Sequence, residues 1–135
     1  MPTQELLVQQ IYAYRYDAST GEIGDRRILV DLSDEAVEPD GLTIDQQGNL
    51  WSAIWNGWRI SCFNPAGKEI YRINLLVQRP TSVTFGGVHL TELYITSASV
   101  GLSQTEIQKG FPAGDLFRCS TQITGMATHS FSESI

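Results

Sequence analysis

The residue types best suited to chemistry in this sequence are one aspartate and two hydroxyl residues in matching segments. Asp40 lies in a Pro-Asp-Gly segment, and Thr81 and Ser82 follow Pro80 in the matching segment. A carboxylate binds hard cations or takes a proton from water, and neighbouring hydroxyls support a bound water or a polar ligand. The structural alternatives are that Asp40 caps a turn with Gly41, and that the two hydroxyls bond the backbone where a strand begins.

The histidines and cysteines do not have the spacing of a known site. His89 and His129 lie far apart and near no cysteine, which excludes a zinc-binding motif. Cys62 and Cys119 form no Cys-x-x-Cys pair, and two reduced thiols are typical of a cytoplasmic chain. We predict no disulfide, because alternation along their strands points the two thiols to opposite sheet faces.

Three tryptophans within residues 51–58 have two interpretations. Together with Asn56 and Gly57 they would form a platform on which a sugar stacks. Alternatively, they pack between sheets. Packing is favoured because Trp51 corresponds to Tyr94 in the repeat described below, which a ligand-binding role does not explain.

Composition limits the classes of partner. The chain has 135 residues, of which 41% are hydrophobic, and its net charge is −6. This is enough apolar material for the core of one domain. The acidic balance and the lack of Lys or Arg runs exclude nucleic acid and anionic membranes as partners. No apolar stretch approaches the roughly 20 residues of a spanning helix, and the first residues do not resemble a signal peptide, so we expect a cytoplasmic location.

The elements that must position Asp40, Thr81 and Ser82 are strands. Period-2 alternation rich in aromatic and β-branched residues predicts an all-β chain. Glycine-containing turns at residues 19–21, 45–49 and 64–67 predict hairpin loops, and the Ser103–Glu106 capping box predicts one short helical turn near 104–109. We expect roughly ten antiparallel strands, at residues 10–16, 26–31, 41–45, 50–55, 59–63, 69–75, 82–85, 93–97, 116–119 and 128–131.

A weak internal repeat organises these strands. Residues 39–45 correspond to 80–86, and 49–51 correspond to 92–94. A repeat of this size, with about four short strands, is typical of a β-propeller blade. The sequence then divides into the end of one blade, a complete blade and a final blade, at residues 1–38, 39–78 and 79–135. About two and a half blades do not close a ring, which takes about four to eight.

The ordered motifs resemble the family of senescence marker protein, gluconolactonase and luciferin-regenerating enzyme. The resemblance runs from about Ile11 to Phe131 and is carried by residues 11–23, 39–51, 56–60, 64–68, 79–87, 93–98 and 101–118. It implies part of a six-bladed propeller with one divalent cation at the mouth of its channel. The ion is usually calcium, with zinc, magnesium or manganese as the other candidates. The implied activity is hydrolysis of sugar lactones or related cyclic esters.

The resemblance gives Asp40 two roles. It falls on a metal ligand of the family, and the nucleophile that attacks the lactone carbonyl would be a metal-bound hydroxide or a water that Asp40, acting as base, deprotonates. Thr81 and Ser82, in the equivalent position of the next blade, would contact substrate. The family's Glu and Asn ligands would lie before Met1. Since calcium takes about 6–8 oxygens, a single carboxylate is a poor site and the metal would be lost without them.

A half-ring would expose two sheet edges and two apolar faces. We therefore expect a homodimer or a complementary half-propeller chain as partner. Two functions remain open at this point. One is a metal-dependent lactone hydrolase formed by such an assembly, and the other is a non-catalytic interaction module that folds by self-association.

Overall fold

A computed structural model describes residues 8–110 and 112–132, which form nine strands and one short helix. The helix, α1, spans Gln104–Gln108 and lies between the last two strands. The strands are β1 (Gln10–Tyr16), β2 (Ile23–Asp31), β3 (Glu38–Ile44), β4 (Leu50–Trp55), β5 (Arg59–Phe63), β6 (Glu69–Asn74), β7 (Pro80–Gly86), β8 (Glu92–Ser97) and β9 (Leu116–Ser120).

The strands form three antiparallel sheets. Sheet 1 has the order β1-β2, sheet 2 the order β3-β4-β5-β6, and sheet 3 the order β7-β8-β9. Each strand pairs with the next one along the chain, as in the blades of a propeller. The predicted all-β partial propeller is therefore confirmed.

Two hairpin loops of sheet 2 form as the sequence predicts, each around a side chain that bonds its own backbone. Asp45 Oδ1 accepts hydrogen bonds from the backbone N–H groups of Gln47 and Asn49, at 2.9 and 3.0 Å. Asn64 Oδ1 accepts two such bonds in the next loop. Gly48 supplies the positive φ, of 81°, that the first turn requires.

The predicted strand at 128–131 is wrong. These residues are exposed and form no strand, although their sequence pattern predicted one. The chain after β9 crosses instead to sheet 2, where Gly125 bridges Asp45. A strand needs a neighbour to satisfy its backbone groups, and alternation alone does not provide one.

The capping box is confirmed, and it begins a helix of five residues. Ser103 Oγ accepts from the N–H of Glu106, and the Glu106 carboxylate accepts from the N–H of Ser103. Gly110, just beyond the helix, allows the backbone to lie close to Trp58, since a Cβ on Gly110 would be 3.0 Å from the Trp58 ring. In the part of the chain that the structure describes, no helix is long and apolar enough to cross a membrane.

The apolar core lies between the sheets. On β4, Leu50 and Ile54 pack with residues of sheet 1, while Trp51 and Ala53 pack with residues of sheet 3. Strand alternation thus supplies both interfaces from one strand. The Trp51 ring meets the Phe85 ring edge-on, with centroids 5.7 Å apart.

Candidate functional site

The candidate residues lie on β-bulges at the start of two strands. In β3, pairing with β4 shifts register between Pro39 and Leu42, so that Asp40 and Gly41 together oppose Ala53. In β7, a similar shift between Pro80 and Ser82 leaves Thr81 as the extra residue. Bulges re-aim side chains and are common beside active sites.

The two bulged strands lie in contact, through Gly41. A Cβ on Gly41 would lie 2.6 Å from Ser82 Cβ and 2.8 Å from Ser82 Cα, distances at which atoms clash. Only a glycine allows β3 and β7 to approach this closely. The structure therefore brings the Asp40 segment and the Ser82 segment together, as their places in the repeat suggested.

Asp40 is solvent-exposed, and its carboxylate is only partly dehydrated. That partial burial raises the pKa of Asp40 above its ordinary value, while the backbone N–H of Gly41 acts in the opposite direction. A nearby cation would lower this pKa again. Asp40 thus has lone pairs available for a ligand or a proton.

The hydroxyls of the second bulge are used differently from each other. Thr81 Oγ1 lies 2.7 Å from Thr96 Oγ1 on β8, so this hydroxyl bonds a neighbouring side chain rather than the backbone. Ser82 is exposed and packs against Gly41. Ser82 is therefore the freer of the two for contact with a substrate.

The described residues do not complete a metal site around Asp40. Within residues 8–110 and 112–132, no three His, Cys, Asp or Glu side chains cluster in a way that would hold a metal ion. One carboxylate and neighbouring hydroxyls are oxygen donors of the right chemical type, but fall short of the 6–8 oxygens that calcium takes.

Asp45, a second carboxylate on the same hairpin, has a structural role that extends beyond its turn. The sequence had indicated only the turn at residues 45–49. The Asp45 side chain is 1% exposed and also accepts hydrogen bonds from Asn49 Nδ2 at 3.1 Å and from the Trp51 indole at 2.9 Å. Burial by itself would raise the pKa of Asp45, but the Trp51, Asn49 and Gln47 donors lower it below its ordinary value. The Asp-x-x-x-Asn-x-Trp spacing was the available signal.

The tryptophans pack rather than form a platform. Trp51 is buried, at 1% exposure. The Trp55 ring is covered by the Arg79 guanidinium, whose Cζ lies 4.7 Å from the ring centroid. Arg79 Nε also donates to Asn56 Oδ1 at 2.7 Å, which holds this turn against the start of β7.

The two cysteines line one cavity, of about 600 Å³, between β6 and β9. Both are free thiols, as predicted. The two thiols nevertheless line the same cavity, because faces of two neighbouring sheets meet there. Burial raises the pKa of Cys62 to about 12, with the charges of Asp45 and Glu69 adding to the effect.

Comparisons with known proteins place this geometry in a family. The model of the SMP-30/Gluconolactonase/LRE-like region matches residues 3–99. The chain belongs to this family. It is 39% identical over 121 residues to regucalcin of Gallus gallus and 35% identical over 127 residues to regucalcin of Homo sapiens, covering 89% and 93% of this chain. The predicted family is thus confirmed.

Solved structures of relatives agree with the fold. A luciferin-regenerating enzyme matches with a TM-score of 0.77 at 35% identity, over 88% of this chain and 40% of that one. A calcium-binding protein, regucalcin, of Agrobacterium tumefaciens matches with a TM-score of 0.81 at 24% identity, over 88% and 41%. The chain spans only 39% and 42% of the Gallus and Homo relatives, so this family member shares about two fifths of their length.

Proposed function

We propose that this chain contributes Asp40 to a divalent-cation-dependent centre that hydrolyses sugar lactones or related cyclic esters. Membership of the gluconolactonase-like family supports the reaction class. One structural neighbour, the regucalcin of Agrobacterium tumefaciens, is a calcium-binding protein, which supports calcium as the first ion to test. Zinc, magnesium and manganese are the next.

The observation that carries the proposal is the exposed, partly dehydrated carboxylate of Asp40 on a bulge beside Ser82. Asp40 would hold the cation through its oxygens or accept a proton from the attacking water. Ser82 hydrogen-bonds a substrate hydroxyl. When bound, the cation would polarise the ester carbonyl or acidify a water.

The remaining ligands would come from a partner, either a second copy of this chain or a complementary half-propeller. The outward face of sheet 1 supports such an assembly. Tyr12 pairs with Ile28 and Tyr16 with Ile23, and these four side chains are exposed, Tyr16 at 64% and Ile23 at 66%. An aromatic and aliphatic sheet face of this kind is typical of an interface.

The test measures thermal unfolding of the native chain with calcium chloride and with EDTA, alongside Asp40→Ala. Asp34→Ala, a change at another exposed aspartate, is the matched control. We expect calcium to raise the Tm of the native chain and of Asp34→Ala but not of Asp40→Ala. Light scattering on the same samples gives the assembly state.

Hydrolysis of gluconolactone, monitored through the acid that it releases, tests catalysis separately from binding. We expect turnover that needs the cation and is lost in Asp40→Ala. A calcium-dependent Tm shift without turnover would favour a cation-binding interaction module over an enzyme. Identical melting of all three proteins in both buffers would remove Asp40 from any metal site.

A further inference from the structure

The guanidinium of Arg79 joins sheet 3 to sheet 2 at the end where β3 and β7 begin. Arg79 immediately precedes β7, and its Cζ lies 4.7 Å from the centroid of the Trp55 ring, at the end of β4. Its Nε donates to Asn56 Oδ1 at 2.7 Å. Because Arg79 is half-buried, water competes little with either contact, and both are stronger than at an open surface.

The turn between β4 and β5 has the shape that receives this side chain. Asn56 has a positive φ of 62°, which few residues other than glycine adopt and which asparagine tolerates. Its Oδ1 also accepts a hydrogen bond from Gln78 Nε2 at 3.2 Å, and the backbone N–H of Trp58 donates to the C=O of Gln78. Two consecutive residues before β7 therefore hold this turn of sheet 2.

The other side of the guanidinium is held by the loop that follows β8. Arg79 Nη1 donates to the C=O of Val100, and a Cβ on Gly101 would lie only 2.7 Å from that nitrogen. The backbone N–H of Ala98 donates to the C=O of Arg79 at 2.9 Å. The side chain thus lies between two sheets with little freedom to move.

These contacts connect the two bulges. Trp55 pairs with Glu38 at the start of β3, and Arg79 lies three residues before Ser82 on the way into β7. Arg79 therefore reaches from the approach of one bulge to the strand that pairs with the approach of the other. The contact of Gly41 with Ser82, where there is no room for a Cβ, lies between the same two strands.

We propose that Arg79 is a positioning residue that fixes the separation of Asp40 and Ser82. For the reaction, this inference rests on the proposed function, in which Asp40 holds the cation and Ser82 contacts the substrate. Without the contacts of Arg79, β7 moves away from β3, and a substrate bound to Ser82 is displaced relative to Asp40. Errors of about 1 Å in the placement of a substrate have large kinetic effects.

The first test does not need activity. Gly41→Ala pushes β3 and β7 apart, so its cost in unfolding free energy, measured with urea, reports how firmly the two strands are held together. We expect that cost to fall to about half in Arg79→Ala, and likewise in Asn56→Ala, because a released β7 can relax. Arg72→Ala is the matched control, since its guanidinium bonds Glu69 of its own strand at 2.8 Å. In that background the cost should be unchanged.

The second test measures hydrolysis of gluconolactone in the presence of calcium. We expect Arg79→Ala to raise KM about tenfold with little change in kcat, because a contact made equally by substrate and transition state is weakened. Arg79→Lys keeps the charge but not the planar fork, so it should give an intermediate KM. Arg72→Ala should behave like the native chain. The calcium-dependent rise in Tm should persist in Arg79→Ala, because Asp40 lies on β3.

Strictly additive losses for Gly41→Ala and Arg79→Ala would overturn the proposal, as would a fall in kcat at constant KM. A native chain with neither turnover nor a calcium response would instead refute the proposed function. The urea measurements would still decide whether Arg79 holds the two bulges together. If Gly41→Ala does not fold, amide hydrogen exchange of residues 80–86 decides. It should be faster in Arg79→Ala than in Arg72→Ala, and equal rates would contradict the role of Arg79.

Discussion

The two carboxylates of the β3 hairpin have opposite fates. Asp40, near the start of β3, is exposed, and partial dehydration raises its pKa. Asp45, just after β3, is almost fully buried, yet its pKa is lowered because backbone, amide and indole donors converge on it. The number of hydrogen-bond donors around each carboxylate, rather than its burial, decides which one has a structural role. Asp40 is the one to which we assign chemistry in the proposed function.

The largest effect on stability should come from removing the buried carboxylate of Asp45, just after the end of β3. Asp45→Ala removes the acceptor of four hydrogen bonds, including that of the buried Trp51 indole. We expect a loss of about 3 kcal/mol or more in the free energy of unfolding, measured with urea. Asp40→Ala, the matched change at the other end of β3, should alter it by less than about 0.5 kcal/mol. Equal losses would refute the contrast.

A smaller effect should follow from separating the two bulges. Gly41→Ala drives a Cβ into Ser82 and should cost about 1–3 kcal/mol of unfolding free energy. Ser82→Gly removes two of the three clashing atoms, Oγ and Cβ, so the double variant should recover part of the loss in a double-mutant cycle. Strictly additive losses would show that β3 and β7 do not meet at this point.

The smallest effect concerns pH. The unfolded pKa of Asp40 is ~3.9, and the folded pKa lies above it. As pH rises, the unfolded chain ionises first, so the free energy of unfolding falls between the unfolded and the folded pKa. Asp40→Asn should therefore be slightly more stable than the native chain at pH ~7 and equal to it at pH ~3. Asp45 has the opposite sign: its stabilisation is present above ~3.9 and is lost as pH falls through its lowered folded pKa. Urea titrations across this range measure both.

Local patterns predicted much of the fold. Strands β1, β4 and β5 begin and end as their alternation and flanking turns predicted, and the capping box at Ser103 begins a helix. These signals involve residues a few positions apart, whose geometry the backbone dictates. The false strand at 128–131 marks the limit, because its pairing depends on a distant edge.

The site divides in the same way. Asp40, Thr81 and Ser82 were identified from repeat positions, but the bulges and the Gly41 contact that join their strands were not. The role of Asp45 was also missed, since four donors converge on it only once the hairpin is closed and Trp51 is packed.

The sequence by itself determined most of the strand pattern, the turns and the family, and it singled out Asp40 as the acid to test. Only the tertiary structure decided that Cys62 and Cys119 share a cavity and that Gly41 meets Ser82. The physical reason is that alternation assigns a side chain to one face of its own sheet. Which sheet lies opposite that face depends on how the blades stack.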